Sequence, residues 1–116
     1  MTISKAVVQQ RLTEELPQWN LNADDSGICR IYMTSGWKSS LMLANAIGFL
    51  AESGWHHPEI LVRYSSVRID LTTHSEVGIT EKDFALAKQV DKLLLWQPQD
   101  DVLQTPPAKY SVHKVD

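Results

Sequence analysis

The chain reads as an α+β protein: a four-stranded antiparallel sheet with three helices on one face, in the order α-β-β-α-β-β-α. Three observations predict this class. Apolar residues recur at helical spacing in three separate stretches. Val67, Ile69 and Leu71 alternate with Arg68, Asp70 and Thr72, the period of a strand with one buried and one wet face. The candidate strands fall in neighbouring pairs with short links, which favours antiparallel pairing. Three amphipathic helices laid against such a sheet form a two-layer sandwich.

The first helix is expected from Ser4 to Leu16, because Val8, Leu12 and Leu16 repeat every four residues and Pro17 stops the pattern. Trp19 to Leu21 is a short strand, and Asn22 to Gly27 has the Asn, Asp, Ser and Gly content of a turn. Cys29 to Met33 follows as a strand, with Ile28 at its start. A second helix runs from Gly36 or Trp37 to Glu52, with Ser35 as candidate N-cap and Gly54 as candidate C-cap. Its core stripe is read as Trp37, Leu41, Ala44 and Gly48. Glu59 to Tyr64 and Val67 to Thr73 are strands joined through Ser65-Ser66 as a hairpin. Thr80-Glu-Lys-Asp83 approximates a capping box. The third helix then carries Phe84, Ala87, Val90 and Leu94 at helical spacing until Pro98 ends it.

A chain of 116 residues suits one domain with one modest core. An apolar content of 43% with 22% charged residues argues against disorder. The domain is read as residues 1–98. Residues 99–116 form a C-terminal tail, either irregular or disordered or an arm that docks on something. A formal charge of −3 and the lack of a Lys/Arg stripe remove any broad electrostatic reason to bind nucleic acid. Cys29 is the only cysteine, so neither an intramolecular disulfide nor a Cys-x-x-Cys motif is possible. Met1 to Arg11 lacks the apolar core of a signal peptide, and no apolar run is long enough to span a bilayer. The expectation is a cytoplasmic protein with no membrane and no nucleic-acid partner.

Chemistry concentrates between Glu52 and His74, where three of the four histidines and a carboxylate occur. Histidine exchanges protons near neutral pH, so such a cluster suits proton transfer or metal binding. A hairpin of the two later strands could return His74 to the side of Pro58, where His56 and His57 lie. Glu52 and His56 share a helix face if the last turn continues. A lone loop histidine is more often structural, and His113 in the tail is read as having no role. Trp55 and Trp96 read as packing or interface residues, Asp83 as a helix-start residue, and Tyr64 as core with a satisfied hydroxyl. A metal held by Glu52, His56 and His74 is the competing use of the cluster, although a helical His-Glu-x-x-His pair is absent.

The run Glu52-x3-His56-His57-Pro58-x5-Tyr64-x9-His74-x8-Asp83, with Thr73 and the Gly78-Ile79-Thr80 turn, resembles the motif of the pterin-4a-carbinolamine dehydratases. Similarity extends weakly back through Ala51 and Trp37 to Tyr32, so it covers most of the chain except the tail. The resemblance implies the α+β fold in a homodimer or homotetramer. It also implies a lyase reaction: loss of water from 4a-hydroxytetrahydropterin (the tetrahydrobiopterin carbinolamine), with neither metal nor other cofactor. By resemblance, His56 and His74 are the acid/base pair. His57 positions substrate or helps move the proton. Glu52 hydrogen-bonds the pterin or orients a histidine, and Trp55, Pro58 and Thr73 complete the substrate-binding set.

Three positions depart from the family pattern. Ile60 stands where an aromatic residue is common, Ser75 where Asp or Asn often follows the third histidine, and Val77 where a second glycine often precedes Gly78. A carboxylate beside His74 would favour its charged form, and Ser75 does not supply one.

The resemblance carries a second implication of another kind. A eukaryotic member doubles as a dimerisation partner of a homeodomain transcription factor. Members tied to autotrophic carbon fixation act as RuBisCO assembly factors in α-carboxysome systems. The stretches Trp55-His-His-Pro, His74-Ser-Glu-Val-Gly-Ile-Thr and Trp96-Gln-Pro are similar to that branch. They imply a non-catalytic chaperone with the RuBisCO large subunit as partner, against the pterin substrate of the enzyme reading.

Overall fold

A computed structural model describes residues 1–113 of the chain. Helix α1 (Lys5–Glu15) starts at Ser4, whose hydroxyl accepts the Val7 N–H. Strands β1 (Asn20–Leu21) and β2 (Ile28–Met33) follow, then helix α2 (Trp37–Gly54), strands β3 (Glu59–Arg63) and β4 (Ser66–Leu71), and helix α3 (Glu81–Leu94). Short 3-10 turns lie at His74–Glu76 and Ala108–Tyr110. The sheet order is β1-β2-β4-β3, antiparallel throughout. The expected architecture is therefore the one found.

The register fixes which face each strand buries. Ile28, Tyr32, Val67, Ile69 and Leu71 point to the helices. There they meet Val8 and Leu12 of α1, Leu43 and Ile47 of α2, and Phe84, Ala87 and Val90 of α3 in one continuous core. The alternate residues Ile31, Met33 and Leu61 face outward. Removing these side chains from water is the main favourable term, about 25 cal/mol per Å² of apolar surface. Gly27 closes the β1–β2 turn against β4, since a Cβ there would lie 2.4 Å from the Leu71 carbonyl oxygen. Any larger residue would push the turn off the strand.

Several local expectations are corrected. The core stripe of α2 is Ser40, Leu43, Ile47 and Ala51, while Trp37 and Leu41 are exposed. This helix has apolar residues on most of its circumference, so periodicity alone does not choose the face. Gly36 rather than Ser35 precedes the first turn, with no side-chain cap. The Ser35 hydroxyl bonds Ser39 instead, at 2.8 Å. The left-handed residue that ends α2 is Trp55, not Gly54. Tyr64 occupies the β3–β4 turn and is 72% exposed, because the two-residue link leaves it no core to enter. Strand β4 stops at Leu71, where Thr73 begins a separate bridge to Gly78.

Beyond α3 the chain is irregular apart from Ala108–Tyr110. It returns to the sheet, where His113 bridges Thr34 and its ring meets the Tyr32 ring edge-on, with centroids 5.7 Å apart. Val112 packs against the core. Residues 114–116 of the tail lie outside the described residues. Among the described residues no helix is long and apolar enough to cross a membrane.

Candidate active site

The C-terminal end of α2 sets the first two histidines. Trp55 adopts φ 51°, ψ 46°, and its N–H reaches the Glu52 carbonyl while the His56 N–H reaches the Ala51 carbonyl at 3.1 Å. These paired bonds satisfy the last helical carbonyls in the manner of a Schellman motif. Glycine is the usual occupant of the left-handed position, because a side chain there costs about 1–2 kcal/mol. The turn throws His56 and His57 in different directions, as adjacency requires.

His56 points inward. Its Nε2 lies 2.6 Å from Asp83 Oδ1, with 13% of the side chain exposed and the aspartate fully buried. An ionised carboxylate only accepts, so Nε2 carries the proton and Nδ1 is the remaining site. The other Asp83 oxygen accepts from the Thr73 hydroxyl and from the Thr80 N–H, each at 2.9 Å. The Thr73 and Thr80 hydroxyls are also 2.7 Å apart. Asp83 thus closes the capping box of α3, as expected, and also anchors His56, which the sequence reading did not assign to it. A buried carboxylate is tolerable only when it is bonded in this way.

His57 points outward. Its Nε2 is 2.6 Å from Glu52 Oε1, and the Trp55 ring meets it edge-on at 5.0 Å. Glu52 therefore pairs with His57 rather than with His56. His74 opens the 3-10 turn that follows β4, one residue beyond Thr73. That loop is closed by the Thr73 N–H to the Gly78 carbonyl at 2.9 Å, with Val77 left-handed at φ 54°. The N-terminal segment holds it from outside, through the Ile3 N–H to the Ile79 carbonyl at 2.8 Å and the Met1 ammonium on Glu76.

His57 and His74 line one polar cavity of about 250 Å³ at the end of the sheet where β3 starts and β4 stops. Its remaining wall comes from Asn22, Asp24 and Ser26 of the β1–β2 turn and from Glu59, Asp70, Leu71 and Thr72. The Ser26 hydroxyl and N–H both donate to Asp24, which holds that carboxyl below its ordinary range. His56 instead lines a neighbouring groove of about 550 Å³ between the end of α2 and α3, with Leu50, Trp55 and Leu86. The three histidines are thus divided between two adjoining spaces. Hydrogen bonds link His56 to Asp83 and Asp83 to Thr73, and Thr73 adjoins His74 in sequence. Pro58 is half-buried and sets the turn into β3. Among the described residues, no group of three or more His, Cys, Asp or Glu is arranged to hold a metal ion.

The wall residues Asn22, Asp24, Ser26, Glu59 and Thr72 were missed by sequence reasoning. They belong to a turn and to strand ends, and only the register Leu21↔Ile28 and Glu59↔Asp70 brings them to the histidines. For Asp83 a signal existed, in its fixed distance from His74.

Comparison with known proteins bears on this site. The family profile described as Pterin 4 alpha carbinolamine dehydratase matches residues 1–93. A protein of Aquifex aeolicus, provisionally named a pterin-4-alpha-carbinolamine dehydratase, is 40% identical over 92 residues, covering 79% of this chain and 90% of that one. A protein of Chloroflexus aggregans under the same provisional name is 39% identical over 92 residues, covering 79% of this chain and 96% of its own length. Among solved structures, a transcriptional coactivator/pterin dehydratase from Brucella melitensis superposes with a TM-score of 0.73, over 80% of this chain and 98% of that one. At 24% identity that likeness concerns the fold alone. The matched region ends within α3, so the returning tail lies outside it.

Proposed function

Because the chain belongs to the pterin 4 alpha carbinolamine dehydratase family, we propose that it dehydrates a 4a-hydroxytetrahydropterin by acid–base catalysis in the His57/His74 cavity. The observation that carries the reading is the presence of two imidazoles on the wall of one small polar cavity, one of them backed by a carboxylate. The reaction needs one group to protonate the departing 4a-hydroxyl and another to accept the N5 proton. With the His57 Nε2 proton held by Glu52, Nδ1 of that ring is the accepting nitrogen. His74 then supplies the proton to the hydroxyl. The C4a–O bond breaks, water leaves, and the electron pair released at N5 forms the C4a=N5 bond of the quinonoid dihydropterin. One proton is taken and one given, so the two rings return to their starting states by exchange with solvent.

In this reading His56 is a positioning residue. Its Nε2 proton is engaged by a buried carboxylate, and it faces the adjoining groove. The resemblance assigns His56 the acid/base role beside His74, and the two assignments differ in a measurable way. Dehydration of synthetic 4a-hydroxytetrahydropterin is to be measured for the wild type and the single histidine variants. Losses of about 10²–10⁴-fold for His57→Ala and His74→Ala, with a smaller loss for His56→Ala, are the expected pattern.

A second reading, a non-catalytic assembly factor for RuBisCO, draws support from the outer face of α2. Trp37, Leu41, Met42 and Phe49 are all exposed there, as is Trp55 just past the end of the helix, and Trp96 is exposed after α3. An apolar surface of this kind suits a protein partner, a second copy included. Assembly yield of RuBisCO large subunit with and without the protein tests it.

A further inference from the structure

Among the described residues no hydrogen bond holds the His74 ring, whereas a carboxylate holds each of His56 and His57. The direction of His74 therefore rests on its loop. On the inner side, Thr73 bridges to Gly78 across the loop, and its hydroxyl bonds Asp83. On the outer side lies the segment that leads into α1. Ile3 and Val8 stand at the N′ and N4 positions of that helix, the places of a hydrophobic staple, and both join the core. From this anchor Ile3 sends its N–H to the Ile79 carbonyl at 2.8 Å. Thr2 then lies against Gly78, where a Cβ would sit 2.9 Å from Thr2 Cγ2. Gly78 is not left-handed, so the close approach, and not the backbone angle, calls for glycine here. The same segment reaches another part of the cavity wall. Lys5 pairs at 3.0 Å with Asp25, which lies between the lining residues Asp24 and Ser26. That pair is exposed and contributes little to stability, but it ties the β1–β2 turn to the segment.

We propose that Thr2 and Ile3 are positioning residues of the active site, bracing the loop through Gly78 and Ile79 so that His74 faces the cavity. The proposal rests on the reading of the cavity as the dehydratase site. Neither residue lines the cavity, so both act through His74. Two carbons in ordinary contact lie about 3.5–4.0 Å apart, so a methyl group at position 78 would part loop and segment by roughly 0.5–1 Å. A reacting group misplaced by about 1 Å can lose about 10²-fold in rate. The loss should fall on kcat, because the proton donor is displaced while the rest of the cavity wall stays in place.

The test compares Gly78→Ala, Thr2→Ala and the double variant in the full chain, by dehydration of synthetic 4a-hydroxytetrahydropterin and by the NMR signals of the His74 ring. Gly78→Ala should lower kcat about tenfold or more with KM nearly unchanged, and should move or broaden the His74 signals. The double variant should regain most of the rate and the wild-type signals. With Cγ2 gone, the nearest remaining atom is Thr2 Cβ at 3.5 Å, an ordinary contact. A merely destabilising methyl group would not be rescued in this way, and thermal melts follow folding in each variant. If Gly78→Ala does not fold, the double variant is still expected to fold and turn over. A double variant no better than Gly78→Ala, or a Gly78→Ala protein with wild-type kcat and unshifted His74 signals, would overturn the proposal and leave the dehydratase reading intact. A wild type without turnover would overturn the dehydratase reading, and the His74 signals alone would then decide whether the brace exists.

Discussion

Asp83 Oδ1 lies 2.6 Å from His56 Nε2, and the same carboxylate closes the first turn of α3. One buried side chain therefore fixes an imidazole, a helix N-terminus and the end of β4 through Thr73. The fold and the candidate site share this joint, so a change at Asp83 is felt in both.

Replacing Asp83 with alanine strands the His56 N–H and the Thr80 N–H around a cavity, while the Thr73 hydroxyl keeps only the Thr80 hydroxyl. Leaving buried donors unsatisfied costs about 1–3 kcal/mol each, so Asp83→Ala is expected to lose about 2 kcal/mol or more. Urea denaturation measures this. A loss below about 1 kcal/mol would show that the network contributes little.

Val77 is a β-branched residue held left-handed at φ 54°, in the loop that carries His74. A left-handed conformation costs an ordinary residue about 1–2 kcal/mol, whereas glycine adopts it freely. Val77→Gly is offset partly by the greater entropy of the unfolded chain, leaving a net gain of about 0.5–1 kcal/mol. A lower melting temperature in this variant would contradict the assigned strain.

Acid sensitivity should centre on the contact between α1 and α3. The Arg11 guanidinium, and then Lys88, hold the Glu15 carboxyl down at about 2 instead of 4.5. Arg11 bonded to Glu81 lowers that carboxyl as well. A depressed folded-state value means that the contribution is present above the unfolded value and fades as protons bind. Stability should therefore fall as pH drops from about 5 towards 2. Arg11→Ala should flatten that fall in urea melts across the same range. An unchanged slope would place the acid-sensitive groups elsewhere.

The fold was legible because its strongest patterns are local. Val67 to Leu71 alternates over a full strand, Pro17 and Pro98 bound helical spacing, and Thr80 with Asp83 announces a helix start. The face of α2 was not legible, since Trp37, Leu41, Leu43 and Ile47 are all apolar and only the sheet decides which are covered. The histidines were legible as a cluster, but their division was not. It depends on Trp55 taking the left-handed turn that a sequence reading gives to Gly54. The cavity wall was hidden for a further reason: Asp24, Glu59 and Asp70 come from three elements and meet only through strand register.

The most direct measurement is the dehydration rate of 4a-hydroxytetrahydropterin with wild-type protein and with His57→Ala/His74→Ala, set against the buffer rate. Turnover well above buffer in the wild type, with the double variant close to buffer, is the predicted result. A wild-type rate no higher than that of the double variant would contradict acid–base catalysis in this cavity.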